Sequence, residues 1–175
     1  KSEVADELVG KDFAFLRFGQ ITLDKIKEQG LKPTEENERR IREEIRRKHG
    51  MAAFAVLNIP KIDELLKKSN VVVDGLYSWS EYKILKEKYG ETMHVIAVYA
   101  PPRLRYDRLT NRSIEGDSAQ RFRNFSKEEA KARDYAEIEN IEKGGPIVMA
   151  DFTIVNTGTI DELKENVNQI LSQVK

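Results

Sequence analysis

Four short apolar runs interrupt a chain otherwise written in helical periods. Phe13-Ala14-Phe15-Leu16, Val71-Val72-Val73, the stretch from His94 to Ala100, and Phe152-Thr153-Ile154-Val155 have the length and the β-branched or aromatic content of strands. Between them, apolar residues recur three and four positions apart, the spacing that puts them on one face of a helix. Val4, Ala5, Leu8 and Val9 predict a first helix from Ser2 to about Val9, with Gly10 as a left-handed cap. Ile21, Leu23 and Ile26 predict a second helix ending near Gly30. Thr34 is placed to cap a long helix running through Lys48, with Glu36 or Asn37 in its first turn.

His49-Gly50 breaks that helix, and Ala52, Ala53, Val56, Leu57 and Ile59 begin another, which Pro60 kinks or restarts before Ile62, Leu65 and Leu66 resume its apolar face. The valine run is expected to be a buried parallel strand ending at Asp74-Gly75. Ser78 or Ser80 then caps a helix that turns Tyr82, Leu85 and Tyr89 inward. Pro101-Pro102 ends the third strand and opens a helix holding Leu104, Tyr106 and Leu109. Ser126 caps a helix from Lys127 to Lys143, which Gly144-Gly145-Pro146 stops. Ile160, Leu163, Val167, Ile170 and Leu171 line a closing helix. Alternating strands and helices call for an α/β fold in which a parallel sheet is covered on both faces and ligands sit at the C-terminal strand ends. No internal repeat interrupts this order.

Composition narrows the chemistry. At 175 residues the chain has the length of a single domain, and 30 basic residues balance 30 acidic ones, so net charge draws neither nucleic acid nor an anionic membrane. Without cysteine there are no disulfides, thiolate nucleophiles or cysteine-bound metals. His49 and His94 are too few and too far apart for a histidine metal site. No apolar run nears the length of a membrane span, and the acidic first turn argues against a secretory signal. The expected setting is the cytoplasm. The charged fraction of 34% is high, a composition that fits a thermophilic source.

Lys1-Ser2, followed by a helix, matches the last two residues of a phosphate loop, G-x-x-x-x-G-K-[ST]. The strand and the glycine-bearing part of such a loop are expected ahead of Lys1. Without that strand, its neighbours in the sheet would lack a central partner. Arg17-Phe18-Gly19 follows the first strand, and Asp74-Gly75 follows the valine run. Ala100-Pro101-Pro102 leads to Arg105 and Arg108, Arg133-Asp134 lies in a later helix, and Ala150-Asp151 leads to Val155-Asn156.

With this ordered set, nearly the whole chain resembles archaeal proteins related to adenylate kinase and dephospho-coenzyme A kinase, a phosphate-loop kinase-like group. The resemblance implies a three-layer nucleoside-monophosphate-kinase-like fold in one domain over residues 1–175, with a helical acceptor side at 31–67 and an arginine-bearing lid at 111–126. It further implies an ATP-dependent phosphotransferase that uses Mg²⁺ and a small phosphate-containing acceptor, a nucleotide or dephospho-coenzyme A. Lys1 would reach the β- and γ-phosphates, and Ser2 would ligate Mg²⁺. Asp74 would hold Mg²⁺ through water or orient the acceptor, or else is a turn aspartate. Arg108 and Arg112 are the lid-side cations for the transferring phosphate, and Arg121 and Arg123 would join them on closure. Asn156 and Gly158 would meet the nucleotide base. Arg17, Gly75, Tyr77 and Arg133 fall on the acceptor side, where Asp134 would orient Arg133 or the two form a structural helix pair. Trp79 either flanks the acceptor or anchors its helix to the core.

Three departures stand against that pattern. Gln20 occupies a position where an acidic residue is expected, Tyr77 replaces an arginine, and residues 113–125 match the lid poorly. They motivate a second reading, a nucleotide-binding regulatory protein with weak catalysis. A nucleic-acid reading draws on Arg39 to Arg47 and Arg103 to Arg123, but sparse aromatic residues and zero net charge argue against it. The helical segment 51–66 would also serve a homodimer.

Overall fold

The computed structural model describes residues 1–111 and 125–174. Their elements, in order, are α1 (Ser2–Val9), β1 (Ala14–Arg17), α2 (Gln20–Glu28), α3 (Glu35–His49), α4 (Ala53–Leu66), β2 (Val71–Asp74) and α5 (Trp79–Tyr89). A 3₁₀ turn, Gly90–Thr92, leads to β3 (Ile96–Tyr99), α6 (Pro102–Thr110), α7 (Lys127–Ile141), α8 (Gly144–Val148), β4 (Phe152–Val155) and α9 (Ile160–Gln173). The fold is α/β and mostly helical, with short parallel strands.

Alternation along β2 divides the core. Val71 and Val73 pack on a cluster of Leu16, Phe18, Ile26, Ile41, Ile45, Phe54, Ile62 and Leu85 from β1 through α5. Val72 points the other way, into a cluster formed by Val4 and Leu8 of α1 with Leu163, Val167 and Ile170 of α9. Helices therefore cover both faces of the strands, as a three-layer α/β fold requires. The second cluster also takes Ile96 and Val98 of β3 and Ile154 of β4, so it spans both strand pairs.

The strands do not form one sheet. β1 pairs with β2 and β3 with β4, each pair parallel, and no strand among the described residues joins the two pairs. The split leaves each strand paired on one side only among the described residues. It also explains why the valines of β2 are only partly buried rather than enclosed.

Several boundaries differ from the sequence expectations. Gly10 is right-handed, with φ −61°, and the left-handed residue is Asp12 at φ 65°. The helix end runs on through bonds from the Gly10, Lys11 and Asp12 amides to Asp6, Leu8 and Val9, so the reversal falls two residues later, on a residue type that tolerates it. Arg17 belongs to β1 rather than to the turn after it. Pro60 lies inside a continuous α4. Gly144-Gly145-Pro146 does not simply stop α7. Glu142, left-handed at φ 55°, ends α7, and the three residues open α8, where a proline near the first turn forfeits no helical hydrogen bond. Ser78 rather than Ser80 caps α5, in a reciprocal box with Glu81.

Candidate functional site

Parallel pairing of β1 with β2 sets Arg17 opposite Asp74 at the C-terminal ends of the strands. α1 packs over the same strands, and its start brings Lys1 and Ser2 to that edge. Lys1, Ser2, Ala5, Phe15, Arg17 and Asp74 together line a small cleft of about 30 Å³. The Lys1 ammonium donates to Asp74 Oδ1 at 2.6 Å, joining a half-exposed cation to a carboxylate that is only 8% exposed. Desolvation opposes the charged ammonium, but Tyr77 and then Asp74 outweigh it and hold the Lys1 amine above its ordinary range. Arg17 Nη1 is buried and has no hydrogen-bond partner. A buried, unmet guanidinium donor beside a lysine and a helix N-terminus is a constellation that binds an anion.

Gly75 makes the turn after β2 at φ 113°, where a Cβ would lie 3.3 Å from the Tyr77 ring. Tyr77 itself follows, 5.9 Å from Lys1 Nζ and 5.3 Å from Lys143 Nζ, measured to its ring centroid. Arg133 approaches Tyr77 closely enough to feel its phenol. Its Nε donates to Glu137 Oε1 at 2.9 Å, and its Nη1 lies 4.0 Å from Glu35. Burial pushes the Glu137 carboxyl up, yet Lys143 and Arg133 more than offset this and hold it below the usual carboxylate range. Asp134 does not orient Arg133. Successive helix positions diverge, and Asp134 instead accepts from Arg105, whose Nη1 also reaches the Ala100 carbonyl at 2.8 Å.

The other strand pair carries a second feature. Arg108 of α6 donates through Nη1 to the Asn156 carbonyl at 2.8 Å and through Nη2 to that of Gly158 at 3.4 Å. Asn156, Thr157 and Gly158 with the first turns of α9 line a cleft of about 350 Å³. A Cβ at Gly158 would fall 1.6 Å from Glu162 Oε2, so a larger residue there would push that carboxylate away from its bond to the Thr159 amide. Three residues assigned from sequence to nucleotide binding, Arg108, Asn156 and Gly158, are thus in contact. Arg112, Arg121 and Arg123, and with them most of the candidate lid, lie outside the described residues.

Trp79 stacks on Tyr82 with ring centroids 5.0 Å apart and abuts Gly145, so it anchors helices. Among the described residues, no group of three or more His, Asp or Glu side chains is arranged to hold a metal ion. Ser2 and Asp74 offer one hydroxyl and one carboxylate, which suits Mg²⁺ held mainly by substrate phosphates and water. On α3, Arg39 pairs with Glu43 and Arg42 with Glu35 and Glu38 within the helix, while Arg46 covers the Phe54 ring of α4, so these arginines are engaged in the fold. No described helix is long and apolar enough to cross a membrane. Glu137 and Lys143 were not singled out by sequence. No motif marks them, and a spacing of six is not one that brings side chains together on a helix.

No family model matches the chain. A UPF0200/UPF0201 protein of Archaeoglobus fulgidus is 36% identical over 171 residues, 97% of this chain and 50% of its own length. The UPF0200 protein of Thermococcus kodakarensis is 31% identical over 176 residues, covering 99% of this chain and 91% of its own. That of Thermococcus gammatolerans is also 31% identical, with 99% and 89% covered. The chain therefore spans half the length of the Archaeoglobus relative and about nine-tenths of the Thermococcus ones. None of these names states an activity.

Proposed function

The chain belongs to the UPF0200 family, and from that premise we propose that it is an ATP-dependent phosphotransferase acting on a small acceptor, a nucleotide or a dephospho-coenzyme A-like molecule. The observation that carries this reading is the cleft where Lys1, Ser2, Arg17 and Asp74 meet at the C-terminal ends of parallel strands, with Arg17 Nη1 buried and unmet. Phosphoryl transfer asks a protein mainly for position and positive charge, and those are what the cleft supplies.

In this reading Lys1 exchanges its bond to Asp74 for contact with the β- and γ-phosphates, whose negative charge replaces that of the carboxylate. Mg²⁺, when bound, neutralises charge on the phosphate oxygens, and Ser2 with the released Asp74 would hold it. Arg17 orients the acceptor, whose oxygen bonds to the γ-phosphorus as the bond to the β,γ-bridging oxygen breaks and ADP departs. A hydroxyl acceptor gives its proton to Asp74, which would hold Mg²⁺ only through water and so keeps a carboxylate oxygen free to take it, and a phosphate acceptor has none to give. Arg108 presents the Asn156-Thr157-Gly158 loop to the nucleotide base. In this reading residues 31–67 would lie on the acceptor side, while most of the candidate lid at 111–126 lies outside the described residues.

The test is Mg-ATP-dependent phosphorylation of adenine nucleotides and dephospho-coenzyme A by the full-length protein. Lys1→Ala is expected to lower turnover by about 100-fold or more, the scale of losing a charged group that acts in the transition state. A folded full-length protein that forms no ADP with any acceptor in the panel overturns the reading. One observation favours a regulatory protein instead: Tyr77, where an arginine is expected, stands beside Lys1. Saturable ATP binding without acceptor-dependent ADP is its signature.

A further inference from the structure

Among the described residues, three helices begin with the same reciprocal cap: Ser126 with Glu129 on α7, Thr159 with Glu162 on α9, and Ser78 with Glu81 on α5. The first two lie at the surface, and each carboxylate accepts from its N-cap amide, at 2.8 Å and 2.9 Å. The third differs. Glu81 is 1% exposed, Ser78 is fully buried, and Glu81 Oε2 accepts from two amides, that of Ser78 at 3.0 Å and that of Tyr77 at 3.1 Å. A reciprocal cap needs only the bond to Ser78. The bond to Tyr77 reaches outside the helix, into the turn that leaves β2.

That turn has candidate site residues at both ends. Asp74, bonded to Lys1, begins it, and Tyr77, whose ring centroid lies 5.9 Å from Lys1 Nζ, closes it. The Phe18 amide donates to the Asp74 carbonyl at 3.0 Å, which fixes the β2 end. Between the ends, Gly75 at φ 113° takes a conformation that other residues rarely adopt. Glu81 fixes the far end. Ser78 extends the same anchor, because its Oγ donates to the Met51 carbonyl at 3.4 Å, at the junction of α3 and α4 in the acceptor-side region.

For capping alone, a carboxyl group buried this deeply is a costly choice. Its Oε1 is buried without a partner, a penalty that the exposed caps of α7 and α9 avoid. Arg46, whose charge acts on Glu81, lends that oxygen no hydrogen bond, and its own Nε is buried and unmet. A group kept at such a cost, holding the backbone between two site residues, serves the site rather than the helix.

We propose that Glu81 is a positioning residue for phosphoryl transfer: by holding the Tyr77 and Ser78 amides it sets the turn that places Asp74 and Tyr77 beside Lys1. It touches neither donor nor acceptor. The proposal rests on the phosphotransferase reading and adds to it a residue that acts through the backbone.

The test measures steady-state turnover of the full-length protein with Mg-ATP and whichever adenine nucleotide or dephospho-coenzyme A it phosphorylates. Glu81→Ala is expected to lower kcat about tenfold with KM for Mg-ATP nearly unchanged, because a small displacement of a positioned group weakens the transfer step. Glu81→Gln keeps an oxygen for both amides and is expected to restore most of that loss. Glu129→Ala removes the equivalent cap of α7 and is expected to lower stability without lowering turnover. Amide hydrogen exchange reports on the turn itself: Tyr77 and Ser78 are expected to exchange faster in Glu81→Ala while the later turns of α5 stay protected. If Glu81→Ala does not fold, Glu81→Asp, one methylene shorter, takes its place in both measurements.

An unchanged kcat beside a lowered melting temperature makes Glu81 a helix cap and overturns the proposal. A loss that Glu81→Gln does not restore overturns it as well, since position is then not what the carboxyl group supplies. A parent protein that phosphorylates no acceptor overturns the phosphotransferase reading instead, and exchange at Tyr77 and Ser78 then decides whether Glu81 sets the turn.

Discussion

At the scale of single residues, the chain places buried charge where neighbours must answer it. Asp74 is answered by Lys1 and Glu137 by two cations, but Glu81 is answered incompletely. It is 1% exposed, its Oε2 accepts from the Tyr77 and Ser78 amides, and its Oε1 is buried without a partner. Burial pushes its carboxyl above the usual range, and the Ser78 and Tyr77 amides with Arg46 do not cancel that. The folded protein then holds the proton more tightly than the unfolded chain. Its stabilising contribution is full below the ordinary carboxyl range and is lost as pH rises through the raised value. Glu81→Gln keeps an acceptor for both amides and does not titrate. Wild-type stability relative to this variant is therefore expected to fall as pH rises from the ordinary carboxyl range, about pH 4, through the raised value, read by denaturant unfolding at a series of pH values. A pH-independent difference would contradict it. Lys1, Arg17 and Asp74 were legible as candidates from their motifs. Lys143, Glu137 and the state of Glu81 were not, because each depends on which distant side chains face it.

Secondary-structure elements were legible wherever local chemistry decides. Thr34, Ser126 and the final strand at Phe152–Val155 stand where apolar period and turn chemistry put them. Thr159 adds a capping box that the apolar pattern did not reveal, accepting from the Glu162 amide at 3.2 Å while Glu162 accepts from its amide at 2.9 Å. Thr159→Ala is expected to cost about 1 kcal/mol of unfolding free energy in a denaturant titration. The Gly-Gly-Pro segment was read as a stop because glycine and proline punctuate helices. It became α8 because Gly145 is the residue that fits against Trp79, a contact no local signal encodes.

For the whole molecule, two apolar clusters on opposite sides of β2 hold the layers together, with Ile41 fully buried in one and Val167 in the other. Ile41→Ala, which empties the packed centre beneath α3, is expected to lower stability by about 2–5 kcal/mol in equilibrium unfolding. A much smaller loss would mean that α3 contributes little to the core. The sequence alone determined the order of the strands and of the helices other than α8, the parallel α/β class, the Thr34 and Ser126 caps, and the residues that end up at the strand tips. Those follow from periodicity and from backbone chemistry within a few residues. Only the tertiary structure decided that the strands form two pairs, that Arg108 meets the Asn156–Gly158 loop, and that Lys1 and Lys143 both approach the Tyr77 ring. These are contacts between elements far apart in the chain, set by packing and by the pairing of buried charge, and no local pattern records them.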